Sequence, residues 1–243
     1  MSAPTSRSAS IDDPLRPIVP DLLWTKEQLV RLAGCQFFTR MTVIRLADGL
    51  CLHSPVDIDA PTRAAIDALG PVCAIIAPST VHHLFFASAQ KAFPSARTFA
   101  IAGLERKRTD LHFDELIGDE PASLWAGQMD QVIIGNRVMR EVDFFHRASR
   151  TLIAVDLIEN FRAETPGTNF MLRALMRMLG MWGRPAPAPE LRWMTRDRQT
   201  NRAALAHLLT WPFDRAIIAH GELLEQDAQE AIRQAWQWIG RAP

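Results

Sequence analysis

The chain contains no tyrosine, three lysines and three cysteines. Without tyrosine, no phenol can serve as acid, base or nucleophile. Cys35, Cys51 and Cys73 show no C-x-x-C spacing, which argues against a thiolate zinc site or a dithiol redox motif. An odd cysteine count, with no leader-like apolar core in residues 1–20, leads us to expect a cytoplasmic, reducing setting and inert thiols. No apolar run reaches membrane-spanning length, so no membrane span is expected. Excess charge is missing too: 27 Lys and Arg balance 27 Asp and Glu. Net charge therefore draws the chain neither to nucleic acid nor to an anionic membrane.

What is present suits an ordinary globular protein. Of the 243 residues, 48% are hydrophobic and 22% charged, enough to fill a core. Residues 1–20, rich in Ser, Asp and Pro, read as a flexible N-terminal tail, and residues 21–243 as a single domain. Residues 41–46 and 50–53 form a hairpin signal around Ala47-Asp48-Gly49. A helix is expected over 60–69, stopped by Gly70-Pro71, with others over 82–92, 169–181, 195–209 and 222–239. Strands are expected at 72–77, 97–101, 131–134, 142–146, 151–155 and 215–219. Hairpins followed by βα units imply a mixed sheet with helices on its faces.

Three buried-type apolar runs each lead into a residue able to hold a metal. The run at 72–77 leads to His82 and His83, that at 151–155 to Asp156, and that at 215–219 to His220-Gly221. Strand ends of an α/β sheet are where such folds build sites. Imidazoles with one carboxylate suit zinc, iron or manganese. Taken singly, each residue is more simply a cap or a satisfied polar group; their recurrence at the same structural position is the argument. His53 ends its strand and is expected beside the ligands or against a substrate. His146 lies at the hairpin turn, about 15 Å along the strand from Asp156, and is expected to be structural. The basic stretch Glu105-Arg106-Lys107-Arg108 reads as a solvated loop. The helix expected at 169–181 carries Arg173 and Arg177 one turn apart. We expect its apolar side to be buried and its arginines in water, with a membrane surface or a pocket cap as the alternative.

The segments FTRMTVIRLADGLCLHSP, ALGPVCAIIAPSTVHHLFFASAQKAFP, FFHRASRTLIAVDLIENF and AIIAHGE resemble the metallo-β-lactamase superfamily. More narrowly, they resemble an uncharacterised bacterial and plant branch of it, a domain of unknown function. The superfamily's H-x-H-x-D-H motif falls on Pro78-Ser79-Thr80-Val81-His82-His83. There the last histidine matches His83, His82 stands for the aspartate, and Pro78 and Thr80 replace the first two histidines. The later aspartate falls on Asp156, the closing His-Gly on His220-Gly221, and an intermediate histidine is missing near Arg137. The resemblance implies a four-layer αββα sandwich of α/β class. It also implies at most one divalent ion, zinc before iron or manganese, at His82, His83, Asp156 and His220. The function implied is a single-metal hydrolase of unknown small-molecule substrate. The rival reading is a non-catalytic binding or scaffold module that has lost the two-metal centre, and a third is iron-dependent redox chemistry.

Overall fold

The computed structural model describes residues 13–136, 139–194 and 198–240. Its first sheet is laid down in chain order: β1 (Arg16–Val19), β2 (Leu23–Leu32), β3 (Cys35–Leu46), β4 (Gly49–His53), then, after helix α1 (Ala60–Leu69), β5 (Val72–Ala77). Helix α2 (Phe86–Ala92), β6 (Arg97–Ile101), α3 (Leu104–Lys107) and β7 (Glu115–Ile117) complete it. β1 to β4 pair antiparallel and β4 to β7 parallel, because hairpins join the former and helices cross over between the latter. The second sheet comprises β8 (Met129–Gly135), β9 (Arg140–His146), β10 (Thr151–Ile153) and β11 (Arg215–Ile217), in the order β11-β10-β9-β8. Between β10 and β11 run α4 (Phe170–Met178), α5 (Pro189–Met194) and α6 (Arg198–Leu208), and β11 is followed by α7 (Ala228–Ala235) and a 3₁₀ turn over Gln237–Gly240.

Alternation along β9 explains how the layers stack. Val142 and Phe144 point into the core shared with Leu52 and Ile76 of the first sheet. Phe145, of opposite parity, packs outward with Leu205 and Leu208 of α6 and Ile232 of α7. With α1 to α3 packed on the first sheet, the result is an αββα sandwich.

Three departures from the sequence expectations have physical causes. Residues 16–19, expected in the tail, form β1 and pair with β2; residues 1–12 lie outside the described residues. The helix expected from 82 begins only at Phe86. The residues just before it are tied to β9 across the sandwich, where Val142 donates its N–H to Pro78 and Thr80 donates to Arg140, and residues 81–86 then pass through tight turns, with His83 donating to Val81 and Phe86 to His83. The last helix begins at Ala228 rather than 222. There the chain first folds back so that Leu224 and Ala216 exchange both backbone bonds along β11. Residues 195–197 of the expected 195–209 helix lie outside the described residues. Among those described, no helix is long and apolar enough to cross a membrane.

Candidate metal centre

The parallel pairs β4–β5 and β10–β11 end at the same edge of the sandwich, and the loops leaving those strands assemble the site. Ser54 follows β4, His82 lies five residues past β5, Asp156 three past β10 and His220 three past β11. His82, Asp156 and His220 each offer a ligand atom, and these atoms lie within 4.8 Å of one another. His82 Nε2 is 3.3 Å from Asp156 Oδ2 and 3.2 Å from His220 Nε2, which is 3.5 Å from Asp156 Oδ1. All three side chains are almost wholly buried.

Each imidazole is oriented from behind. His220 Nδ1 lies 3.0 Å from the Phe38 carbonyl, which can only accept; the ring must donate there, so neutral His220 turns a lone pair on Nε2 toward the cluster. Its ring is walled by Phe37, edge-on at 5.0 Å, and Phe161, stacked at 6.5 Å. His82 Nδ1 meets the Ser54 hydroxyl at 2.9 Å. Ser54 holds a left-handed backbone, φ +53°, unusual for a residue with a side chain and common where geometry serves a site.

These residues fit a cation. Asp156 Oδ2 is buried without a hydrogen bond of good geometry, and two imidazole nitrogens facing each other need something positive between them. Metal bonds of about 2.0–2.1 Å at tetrahedral angles separate donors by about 3.3–3.4 Å; the observed edges are 3.2, 3.3 and 3.5 Å. Two histidines and a carboxylate leave further coordination positions open, as in catalytic zinc sites and two-His-one-carboxylate iron sites. Electrostatics point the same way. Burial opposes a charged His82, yet the Asp156 carboxylate outweighs it and raises the pKa above the usual value. Burial also works to raise Asp156, but His82 and His220 overcome it and hold it low. His220 is pushed down to about 4, mainly by burial. Of the two imidazoles, His82 is thus the one whose protonated form the cluster favours.

Of the other histidines proposed from sequence, His83 turns away from this group. Its Nδ1 faces Arg108 Nη1 at 2.8 Å, and burial with Lys107 and Arg108 nearby lowers it to about 4. His53 lies in the inter-sheet core, edge-on to Phe144 at 5.7 Å, its Nε2 without a partner. Burial keeps it neutral, at about 3. His146 sits at the β9–β10 turn, bonded to Ser149. The position near Arg137 lies outside the described residues.

Sequence reasoning missed the residues that hold the ligands in place. Glu141, wholly buried, accepts the N–H groups of Val155, Asp156 and Leu157 at 3.4, 3.0 and 2.9 Å. Arg40 does the same for the last ligand: it is paired with Glu27 and donates to the carbonyls of Ile218 and Gly221, bracketing His220. Beneath Asp156, neither oxygen of buried Asp143 meets a donor, and its neighbour is the Glu141 carboxyl. One proton shared between the two carboxyls resolves this. Burial, then the charge and hydrogen bond of Glu141, raise Asp143 well above its ordinary range; burial lifts Glu141 to about 7 despite the bond from Asp143. Two acids, Glu141 and Asp143, within the largely buried strand β9 were the available signal.

A consequence can be measured. A folded-state carboxyl pKa above its unfolded value gives stability that is full below the ordinary carboxyl range and declines as pH rises. Asparagine mimics the protonated acid and does not titrate. Asp143→Asn is therefore expected to gain stability relative to the parent as pH rises from about 5 to about 8, read as urea midpoints at each pH. A difference that is the same at both ends would contradict the assignment.

A cavity of about 780 Å³, lined by Phe38, Arg40, Asn160, Arg162, Gly221 and Glu222 among others, lies beside the His220 turn. This is the size of a small-molecule site.

Known structures share this architecture. A metallo-beta-lactamase from Pontibacter korlensis superposes with a TM-score of 0.61 at 12% identity, covering 92% of this chain and 98% of its own. The metallo-beta-lactamase FIM-1 from Pseudomonas aeruginosa in its mono-zinc form gives 0.60 at 11%, covering 94% and 96%. The Flv1 flavodiiron core from Synechocystis sp. PCC6803 gives 0.63 at 13%, covering 93% and 60%. At such identities the likeness is one of fold. No curated protein matches the chain. Residues 20–240 match the family described as Domain of unknown function (DUF4336), and the chain belongs to that family.

Proposed function

We propose that this protein binds one divalent metal ion through His82, Asp156 and His220 and uses it to hydrolyse a small molecule. The supporting observation is the convergence of three buried ligand atoms from three separate strand ends at spacings suited to one ion. Bound there, such an ion would polarise a substrate carbonyl or phosphoryl group and make water acidic enough to attack. The chain's own residues provide the rest. The Phe38 carbonyl fixes the His220 tautomer, Glu141 holds the Asp156 backbone, and Phe37 and Phe161 keep water from the His220 ring. Arg40 and Asn160, in the wall of the neighbouring cavity, hold the His220 turn.

The test is metal analysis of protein purified without an affinity tag. We expect close to one zinc or iron per chain, and loss of more than about a hundredfold in affinity in His220→Ala, since removing a ligand should exceed the ten- to hundredfold cost of losing its supports. Because metal must displace the His82 proton, affinity should also climb with pH until the raised His82 pKa is passed. A parent protein without stoichiometric metal, or a His220→Ala variant that keeps it, would overturn the proposal.

A second reading is a non-catalytic binding module. It draws on Pro78 and Thr80 standing where the superfamily motif has histidines, and on the near-complete burial of the three side chains. Chelator-sensitive turnover of a generic ester or phosphodiester would exclude it.

A further inference from the structure

The neutral net charge conceals a segregated face. Residues 165–189 contain no Asp or Glu but include Arg173, Arg177 and Arg184. Among the described residues these three and Arg31 on β2 form no ion pair. Their partners are neutral: Gln36 for Arg31, Thr168 for Arg173, the Trp182 ring for Arg177 and the Gly180 carbonyl for Arg184. Four guanidinium charges thus stand on one side of the molecule without compensation.

Between them stand large apolar side chains in water. Phe170 is 84% exposed, Met178 76% and Leu32 67%, with Met171 and Leu29 also exposed. This is not the core side of α4: Leu172 and Met176 fill that role, packing with Cys35, Phe161 and Met181. The helix is therefore apolar toward the protein and mixed apolar and basic toward solvent. Nor is it a loose flap. Asn169 caps α4 through the Leu172 N–H, accepts from the Gln36 N–H and donates to the Gly34 carbonyl at the β2–β3 turn. Met171 lies so close over Gly34 that a Cβ there would sit 2.5 Å from its sulfur, and Leu29 meets Gly167 in the same way at 3.0 Å. The hairpin tip and the helix form one continuous surface.

We propose that this face docks on an anionic lipid bilayer. Phe170, Met178 and Leu32 would enter the acyl boundary while the arginines meet lipid phosphates, the arrangement by which interfacial helices bind. Arginine suits that level, its stem lying along apolar neighbours with the charge in the headgroups. An acidic protein surface would answer the charge but would need a preformed pocket for each protruding side chain, whereas a bilayer needs none. Phe161 belongs to the cluster under α4 and also stacks on His220, so the docked face adjoins the candidate metal centre. The proposal stands whether or not that centre holds an ion.

The test is co-sedimentation of the full chain with vesicles. Binding is expected to vesicles holding about 30 mol% phosphatidylserine in phosphatidylcholine, at least about tenfold above phosphatidylcholine alone, and to be largely lost in about 0.5 M salt. Arg173→Gln with Arg177→Gln should weaken it by roughly fivefold per arginine, tenfold or more together. Phe170→Ser with Met178→Ser should weaken it at least as much, and both variants should keep the parent's thermal midpoint because these side chains are exposed. Equal binding to both vesicle types, or binding that neither double variant weakens, would overturn the proposal. So would displacement by millimolar inorganic phosphate, which would indicate a free-anion site, or binding to soluble polyglutamate but not to vesicles, which would indicate an acidic protein partner.

Discussion

Gly221→Ala is expected to destabilise the protein by about 2–5 kcal/mol, from a left-handed backbone penalty of about 1–2 kcal/mol and about 1–3 kcal/mol for forcing extra volume into a packed site. Gly221 has φ +83°, and a Cβ there would lie 2.2 Å from the Asn160 carbonyl oxygen and 2.4 Å from its carbon. Backbone cannot swing aside as a flexible side chain can. Asn160 is itself held on both sides of the glycine: it donates to the His220 carbonyl and accepts from the Glu222 N–H. The clash would be relieved by shifting the Asn160 backbone or the His220 turn, which are bonded to each other, so metal affinity should fall with stability. Gly127 supplies the control. It has a similar φ of +78° with nothing within 4 Å of an added Cβ, so Gly127→Ala should show the backbone penalty of about 1–2 kcal/mol alone. Urea denaturation of both variants measures the difference. Equal losses in the two would mean that close approach at position 221 contributes nothing.

Glu141→Ala is expected to cost about 3–5 kcal/mol, the range seen when a buried charged network loses a member. The substitution strands the N–H groups of Val155, Asp156 and Leu157, each a buried donor that loses its acceptor. It also removes the carboxyl with which buried Asp143 shares a proton. Glu141→Gln should be milder, at about 1–3 kcal/mol, because the amide oxygen can still serve Val155 and Leu157 while its NH₂ faces the Asp156 N–H. Since these bonds position Asp156, we expect the alanine variant to lose about ten- to a hundredfold in metal affinity as well. Denaturation midpoints and metal titration of the two variants check this. An alanine variant no less stable than the glutamine one would show that the three bonds do not hold the 155–157 turn.

The strand-ligand recurrence was visible in the sequence because buried parallel strands are short apolar runs, and the residues just past their ends fall at one edge of the sheet. That reasoning placed Asp156 and His220 at strand ends. It could not distinguish His82 from His83, because adjacent residues on a segment taken for helix diverge by an angle that sequence does not set. Residues 78–80 are tied to β9, from a different sheet, and the turns that follow at 81–86 point His82 to Ser54 and Asp156 while His83 turns to Arg108. β1 and β2 escaped notice for a related reason. They lie at the sheet's edge and β2 is largely half-exposed, so they lack the apolar runs that mark buried strands.

Local chemistry alone determined the turn and helix stops, the buried strands and the resemblance carried by their flanking motifs. Each depends on residues within a few positions of one another, where steric and hydrophobic preferences act directly. Only the tertiary structure decided that Glu141 sits under Asp156, that Arg40 brackets His220, and that four arginines gather with Phe170 on one face of a neutral chain. Those relations join residues 14 to more than 180 positions apart. They arise from how two sheets pack, and the free energy of that packing is shared among side chains that no local pattern connects.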